Sequence, residues 1–136
     1  MKKLLLILSI CNLQSAICNS QNINITLAGQ LSYGTEELSN IWGWKSPVDG
    51  KEYALVGAQG GLSIVDVSNP AVPVQITKIP GPFSDWREIK TNGNYAYVTT
   101  EDEKIGLQIV DLINLPATNL AVATWKPLIG MDSLET

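Results

Sequence analysis

The chain has no histidine, and its only two cysteines, Cys11 and Cys18, lie near the N-terminus. The absence of imidazole removes the commonest general base and transition-metal ligand, together with every Ser-His and Cys-His arrangement. Because both cysteines lie at one end, the remaining chain carries no disulfide and no thiolate nucleophile. These absences exclude the side chains on which many hydrolases and zinc sites depend.

Basic residues are also few: nine Lys and Arg stand against 13 Asp and Glu, a net charge of −4. The basic residues are scattered along the chain, whereas nucleic-acid binding needs clustered cations that neutralise phosphates. We therefore expect no nucleic-acid partner. No motif in the sequence indicates a cofactor, and none is expected.

No apolar run approaches the 20 or so residues that a membrane-spanning helix needs. The longest, residues 4–10, follows Lys2 and Lys3 and precedes small or polar residues, which is the layout of a secretory signal peptide. We predict cleavage near Ser20, with Cys18 as the alternative position. A lipid-anchored cysteine and a soluble helix are the other interpretations. Export is expected, and removing both lysines would lower the net charge from −4 to −6.

Two segments of the chain repeat about 45 residues apart. Tyr53-Ala-Leu-Val and Gly61-Leu-Ser-Ile-Val-Asp66 are followed by Tyr95-Ala-Tyr-Val and Gly106-Leu-Gln-Ile-Val-Asp111. Short strands that recur with a period in the low forties are typical of β-propeller blades. The repeat therefore predicts fold more strongly than function.

Four antiparallel strands are expected in each repeat. Turn dipeptides separate them at Asp49-Gly50, Gly60-Gly61 and Asn92-Gly93, and a proline ends each third strand. The expected strands are residues 41–44, 53–57, 62–67 and 74–79, then 86–90, 95–99, 106–112 and 120–125. The predicted fold class is all-β, a partial β-propeller of two four-stranded antiparallel blades preceded by a signal peptide.

The predicted domain organisation is a signal peptide at 1–20, an N-terminal strand and loop at 21–39, blades at 40–82 and 83–127, and a tail at 128–136. A propeller closes with about 4–8 blades, and each blade hides its apolar faces only against its neighbours. We therefore expect the chain to be the N-terminal part of a longer protein that supplies the remaining blades. Self-association into a complete ring is the alternative.

The repeated Gly-Leu-x-Ile-Val-Asp segments resemble the LVIVD repeat, a short bacterial blade motif. The fuller pattern resembles the exported choice-of-anchor B family. It is carried by Leu31-Ser-Tyr-Gly34, Asn40-Ile-Trp-Gly-Trp44, Gly50-Lys-Glu-Tyr-Ala-Leu-Val-Gly57, Ser63-Ile-Val-Asp-Val-Ser-Asn-Pro70, Trp86-Arg-Glu-Ile-Lys90 and Gly106-Leu-Gln-Ile-Val-Asp-Leu112. The resemblance implies a repeat domain, often followed by a sorting or anchoring module, and it implies no catalytic residues. The chain departs from the family where Asn40 and Ile105 replace a frequent Asp and His.

Asp85, Trp86, Arg87 and Glu88 are the candidate ligand-binding residues, because they lie where the second blade enters its innermost strand. Arg87 would bind a carboxylate or phosphate through two hydrogen bonds. The alternative is an Arg-carboxylate pair that ties the two blades together. If Arg87 contacts a ligand, replacing it by alanine should abolish binding while thermal stability changes little.

Trp42, Trp44 and Trp86 are placed similarly in the two repeats. They predict either a stacking platform for a sugar or peptide, or an aromatic wedge packed between blades, which we favour.

We interpret the acidic residues as structural. Glu101-Asp102-Glu103 lacks the glycine-broken alternation of calcium loops and is expected to be a solvated turn. Asp66 and Asp111 are expected to cap turns through backbone N–H groups. The pair Glu36-Glu37 has little specificity, and we expect neither a metal site nor a catalytic set.

The favoured hypothesis is an exported, non-enzymatic propeller that presents a binding surface for a protein, peptide or glycan at the bacterial envelope. One alternative is a propeller hydrolase or lyase that uses carboxylates, with or without calcium, and has most of its site on missing blades. The other alternative is a surface spacer.

Overall fold

The computed structural model of the chain describes residues 25–101 and 106–126, and eight strands within these ranges form two four-stranded antiparallel sheets. The first sheet holds β1 (Leu38–Lys45), β2 (Glu52–Ala58), β3 (Gly61–Asp66) and β4 (Val74–Pro80), and the second holds β5 (Arg87–Asn92), β6 (Tyr95–Thr100), β7 (Leu107–Asp111) and β8 (Val122–Trp125). Each sheet follows chain order, as propeller blades do, so the predicted all-β fold with two blades is confirmed. The predicted signal peptide and the tail at 128–136 lie outside the described residues.

Tight turns give the two sheets the same register. Gly50 and Gly93 have φ values of 73° and 56° in the first hairpin of each sheet, as the turn dipeptides predict. In both sheets the repeated tyrosine and aspartate are cross-strand partners: Tyr53 lies opposite Asp66, and Tyr95 lies opposite Asp111. The repeated sequence therefore encodes a repeated strand pairing.

The N-terminal strand expected within residues 21–39 is not formed in the described part of that segment, since residues 25–37 are irregular. They cross the outer face of the first sheet and are anchored there by side chains. The Tyr33 hydroxyl lies 2.9 Å from Ser63 Oγ, and Glu36 forms an ion pair with Lys78 and accepts a hydrogen bond from the Gly60 amide. These contacts hold the segment without strand pairing.

The hydrophobic core lies between the two sheets. Its members come from both, and Leu55, Ile64, Ile89 and Val98 are among the most deeply buried, none more than 1% exposed. Full burial of each such side chain stabilises the fold by about 1.5–3 kcal/mol. Because alternate residues of a strand point to opposite faces, each sheet gives one face to this core and keeps an outer face.

Tryptophans of β1 join the two sheets. The Trp44 indole N–H donates to the Gly93 carbonyl at 2.9 Å, and that of Trp42 donates to Thr91 Oγ1 at 2.9 Å. The ammonium of Lys90 lies 3.9 Å from the centre of the Trp42 ring, a cation–π distance. The predicted packed wedge between blades is confirmed for Trp44, which is buried, whereas Trp42 bridges the sheets with 37% of its surface exposed.

Trp86 differs from Trp42 and Trp44, although the sequence spacing suggested equivalence. It precedes β5 and is 70% exposed. Trp42 pairs with Leu55 and Lys90 pairs with Tyr97, so the residue of the second sheet that corresponds to Trp42 is Lys90. The expected placement of Trp86 in a blade wedge is therefore wrong.

Candidate functional site

Arg87, the first residue of β5, is buried, with only 2% of its surface exposed. Its guanidinium donates from Nε to the Ala58 carbonyl at 3.1 Å and from Nη2 to the carbonyls of Pro82 and Gln59 at 2.7 and 3.4 Å. Burial lowers the pKa of Arg87, and the nearby Glu36 carboxylate opposes that shift. The side chain therefore joins the second sheet to the β2–β3 turn of the first.

This arrangement changes both sequence interpretations of Arg87. Its guanidinium donates hydrogen bonds to groups of the protein itself, where the first interpretation expected a ligand. The acceptors that tie the blades together are backbone carbonyls, where the second interpretation expected a carboxylate. The backbone of Arg87 is held as well, because its N–H donates to Ser39 Oγ at 3.0 Å. From the sequence we expected Arg87→Ala to change the stability little if Arg87 binds a ligand. From the structure we expect Arg87→Ala to destabilise the protein clearly.

The segment before β5 is fixed by hydrogen bonds that leave its tryptophan outside. Ser84 is buried, and its Oγ donates to the Trp86 carbonyl at 2.7 Å. Asp85 accepts a hydrogen bond from Gln59 Nε2 at 2.8 Å, while its own N–H donates to Glu101 Oε1 at 3.3 Å. Trp86 therefore projects from an ordered backbone with 70% of its surface exposed.

Glu88 lies on the exposed side of β5 and contacts both sheets. Its carboxylate accepts a hydrogen bond from Asn40 Nδ2 at 3.0 Å and forms an ion pair with Lys90 at 2.7 Å. Lys90 in turn covers the Trp42 ring. These groups form a polar chain along the seam between the two sheets, beside the exposed indole.

A cleft of about 250 Å³ lies at this seam. It is lined by Ser39, Trp86, Arg87, Glu88, Thr99, Thr100 and Glu101. Three of the four predicted binding residues therefore line one cavity, while Asp85 lies beside it as part of the support. The cleft combines an exposed aromatic ring with carboxylates and hydroxyls, which suits a ligand that carries both apolar and hydrogen-bonding surface.

A larger groove of about 650 Å³ lies on the outer face of the first sheet, and the sequence analysis did not find it. Its walls are mostly apolar: Gly29, Gln30, Leu31, Tyr33, Leu38, Ser39, Asn40, Ile41, Ala54, Val56, Val65, Val67 and Pro73. The groove exists because residues 29–33 cross the sheet instead of pairing with it. The exposed apolar positions of β1 were the available signal.

Asp66 and Asp111 cap turns, as predicted. Hydrogen bonds from Ser68 lower the pKa of Asp66, and an ion pair with Lys51 at 3.2 Å adds to the shift. Asp111 Oδ1 accepts from the Ile113 N–H at 3.0 Å.

The structural findings on metal and membrane sites apply to residues 25–101 and 106–126 alone. Within those ranges no group of three or more His, Cys, Asp or Glu side chains is arranged to hold a metal ion. Asp102 and Glu103, two of the three acids weighed above for calcium, lie outside the described residues. The same part of the chain contains no helix with the length and apolar character needed to cross a membrane.

Two adjacent four-stranded sheets with the same strand order and the same tyrosine-aspartate pairing define the class of this protein as a β-propeller repeat protein. The sequence model of the LVIVD repeat matches residues 48–78 and 85–123, just over half of the chain. The chain therefore belongs to the LVIVD repeat family. Comparison with curated proteins found no match, and comparison with solved structures found none either.

Proposed function

We propose that the protein is an exported, non-enzymatic propeller of the choice-of-anchor B type that binds a protein, peptide or glycan at the bacterial envelope. The observation that supports this proposal is the exposure of Trp86 on a backbone held by hydrogen bonds, at the edge of the cleft. Exposed tryptophans are enriched in binding surfaces, because one ring combines a large apolar area with a polar edge.

Among these ligands, the side chains around the indole favour a glycan. A sugar ring stacks its C–H face on the indole, while its hydroxyls donate hydrogen bonds to the carboxylates of Glu88 and Glu101. Thr99 adds a hydroxyl at the same cleft. The acidic lining repels polyanions, so a neutral or amine-bearing glycan is the expected ligand.

Co-sedimentation with insoluble chitin, a neutral polysaccharide of N-acetylglucosamine, tests the proposed binding. Trp86→Ala should raise the Kd by about tenfold, since loss of an aromatic contact worth about 1.4 kcal/mol changes affinity by that factor. Phe83→Ala is the matched control, because Phe83 is 73% exposed and does not line the cleft.

Both variants should unfold at the temperature of the unmodified protein, since both side chains are largely exposed. Equal sedimentation of Trp86→Ala and the unmodified protein, or no sedimentation of either, would contradict glycan binding at the cleft.

Export is tested separately by N-terminal sequencing of the protein recovered from the envelope and medium of the producing cells. The lysines at positions 2 and 3 and the apolar residues 4–10 predict a mature chain that begins after Ser20, or after Cys18. A recovered chain that still begins at Met1 would count against export through a cleaved leader.

A further inference from the structure

The β5–β6 turn contains the one Asn-Gly dipeptide of the chain, Asn92-Gly93. Asn92 is the last residue of β5, both residues are exposed, and Gly93 has a φ of 56°. A Cβ built on Gly93 would meet nothing within 4 Å, so the turn is open on that side. Within residues 25–101 and 106–126, neither the Asn92 side chain nor the Gly93 N–H makes a hydrogen bond. A side-chain amide and a main-chain nitrogen therefore lie next to each other with no partner to hold either of them.

From this arrangement we propose that Asn92 is a site of spontaneous deamidation. The Gly93 nitrogen attacks Cγ of Asn92, the bond between Cγ and Nδ2 breaks, and ammonia leaves with the proton that the Gly93 N–H gives up. Glycine permits this attack because it has no Cβ to hinder the approach of the side chain to the nitrogen. The product is a cyclic succinimide.

Water then opens the succinimide at either of its carbonyl carbons. Attack at the carbon derived from Cγ breaks its bond to the Gly93 nitrogen and gives aspartate at position 92. Attack at the main-chain carbonyl carbon breaks the other bond of that nitrogen and gives isoaspartate, in which the main chain runs through Cβ and Cγ. Both products carry a new carboxylate in the turn, but only isoaspartate has a longer main chain.

The equivalent turn of the first sheet is protected from the same chemistry. Its dipeptide is Asp49-Gly50, and the Gly50 N–H donates to the Ser46 carbonyl at 3.0 Å. The Asp49 carboxylate accepts a hydrogen bond from the Lys51 N–H at 3.2 Å. A hydrogen bond from the Ser46 side chain lowers the pKa of Asp49, which keeps the carboxylate ionised and a poor target for attack. The second turn lacks these restraints, so reaction is expected there alone of the two.

Deamidation at this position would act on the junction between the two sheets. The Thr91 hydroxyl and the Gly93 carbonyl lie on either side of Asn92, and they accept the indole N–H groups of Trp42 and Trp44 at 2.9 Å each. The two indoles stand two residues apart on one strand, so the spacing between them is set by β1. Isoaspartate inserts one carbon into the main chain between the two acceptors. The lengthened turn therefore cannot keep both hydrogen bonds, whereas aspartate leaves the chain length unchanged.

Incubation of the folded chain in heavy-oxygen water tests the reaction. The sample is kept well below its melting temperature and at mildly alkaline pH, because ring closure requires the Gly93 nitrogen to lose its proton. Mass spectrometry of the digested protein should find heavy oxygen at residue 92, in both aspartate and isoaspartate. Asn94 is the internal control, because it is followed by Tyr95, whose side chain hinders the attack and whose backbone is paired with Asn92; it should stay unlabelled.

Asn92→Gln is the matched unreactive variant, since its longer side chain closes a larger ring slowly; it should gain no label at this position. Thermal unfolding of the separated products then tests the effect on the junction. The isoaspartate form should melt at least about 4 °C below the unmodified chain, the shift expected when one hydrogen bond is lost. Asn92→Asp changes an exposed side chain only and should melt within about 2 °C of the unmodified chain.

Three results would overturn the proposal. The first is the absence of heavy oxygen at residue 92 of the folded chain, and the second is labelling of Asn94 as fast as that of Asn92. The third is an isoaspartate form that melts at the same temperature as the Asn92→Asp variant, because the longer main chain would then have no effect on the junction.

Discussion

Replacing Arg87 by alanine should destabilise the protein strongly, although the residue is charged and lies in a candidate binding segment. Its guanidinium makes three hydrogen bonds to backbone carbonyls, two of them at the β2–β3 turn of the other sheet. Alanine removes all three hydrogen bonds and leaves the Ala58 carbonyl buried without the guanidinium. The change therefore loosens the junction between the sheets.

The size of the effect follows from two opposing contributions. Hydrogen bonds that involve a charged group contribute about 1.5–3 kcal/mol each. Burying the guanidinium away from water costs several kcal/mol, and this cost offsets part of that contribution. We expect a net loss of about 3 kcal/mol in the free energy of unfolding. For a domain of roughly 100 residues, this lowers the Tm by about 12–24 °C.

Urea denaturation monitored by tryptophan fluorescence measures the loss. Arg87→Met keeps most of the side-chain stem but removes the donors, so it should show most of the destabilisation of Arg87→Ala. Lys45→Ala is the control, because its ion pair with Glu52 is exposed and should contribute less than about 0.5 kcal/mol. An unfolding free energy for Arg87→Ala within about 0.5 kcal/mol of the unmodified protein would refute the role assigned to this residue.

Three further substitutions have defined outcomes. Gly61→Ala should cost about 3 kcal/mol or more, because its Cβ would lie 2.1 Å from the Ile79 carbonyl oxygen; a urea midpoint unchanged from the unmodified protein would contradict this close approach of β4 to the turn. Trp44→Phe should cost about 2 kcal/mol through loss of its indole hydrogen bond and packing volume, and a loss below about 0.5 kcal/mol would argue against the wedge. Hydrogen bonds from Ser68 lower the pKa of Asp66 in the folded protein below its ordinary value near 3.8. The ionised Asp66 carboxylate therefore stabilises the fold above pH 3.8, and this stabilisation is lost as the pH falls through the pKa of the folded state. Asp66→Asn should therefore lose less stability below about pH 4 than the unmodified protein, and parallel pH profiles would disprove the coupling.

The repeated sheets could be predicted from the sequence because their signals are local. Glycine turns such as Asn92-Gly93 and the alternation of apolar residues act within a few positions, and they determine which strands pair. The matching of Tyr53 with Asp66 and of Tyr95 with Asp111 then follows from strand length and turn length.

The details of the site depend on contacts that residue type does not reveal. The acceptors of Arg87 are backbone carbonyls, which every residue possesses, so no pattern identified them. Trp86 was aligned with Trp42 by residue type, but register aligns Lys90 with Trp42. Weak alternation around Ile25 and Leu27 predicted a strand, yet both side chains are more than 70% exposed and the described segment pairs with no edge.

The docking of the two sheets through the tryptophans of β1 is tested most directly by NMR. In a protein labelled with ¹⁵N, the indole proton of Trp44 should show a nuclear Overhauser effect to the α-protons of Gly93, since the indole nitrogen lies 2.9 Å from the Gly93 carbonyl oxygen. The indole proton of Trp42 should show one to the side chain of Thr91. Observation of both effects is the predicted result. Their absence in a folded sample with intact strand-pairing signals would contradict the packing of one repeat against the other.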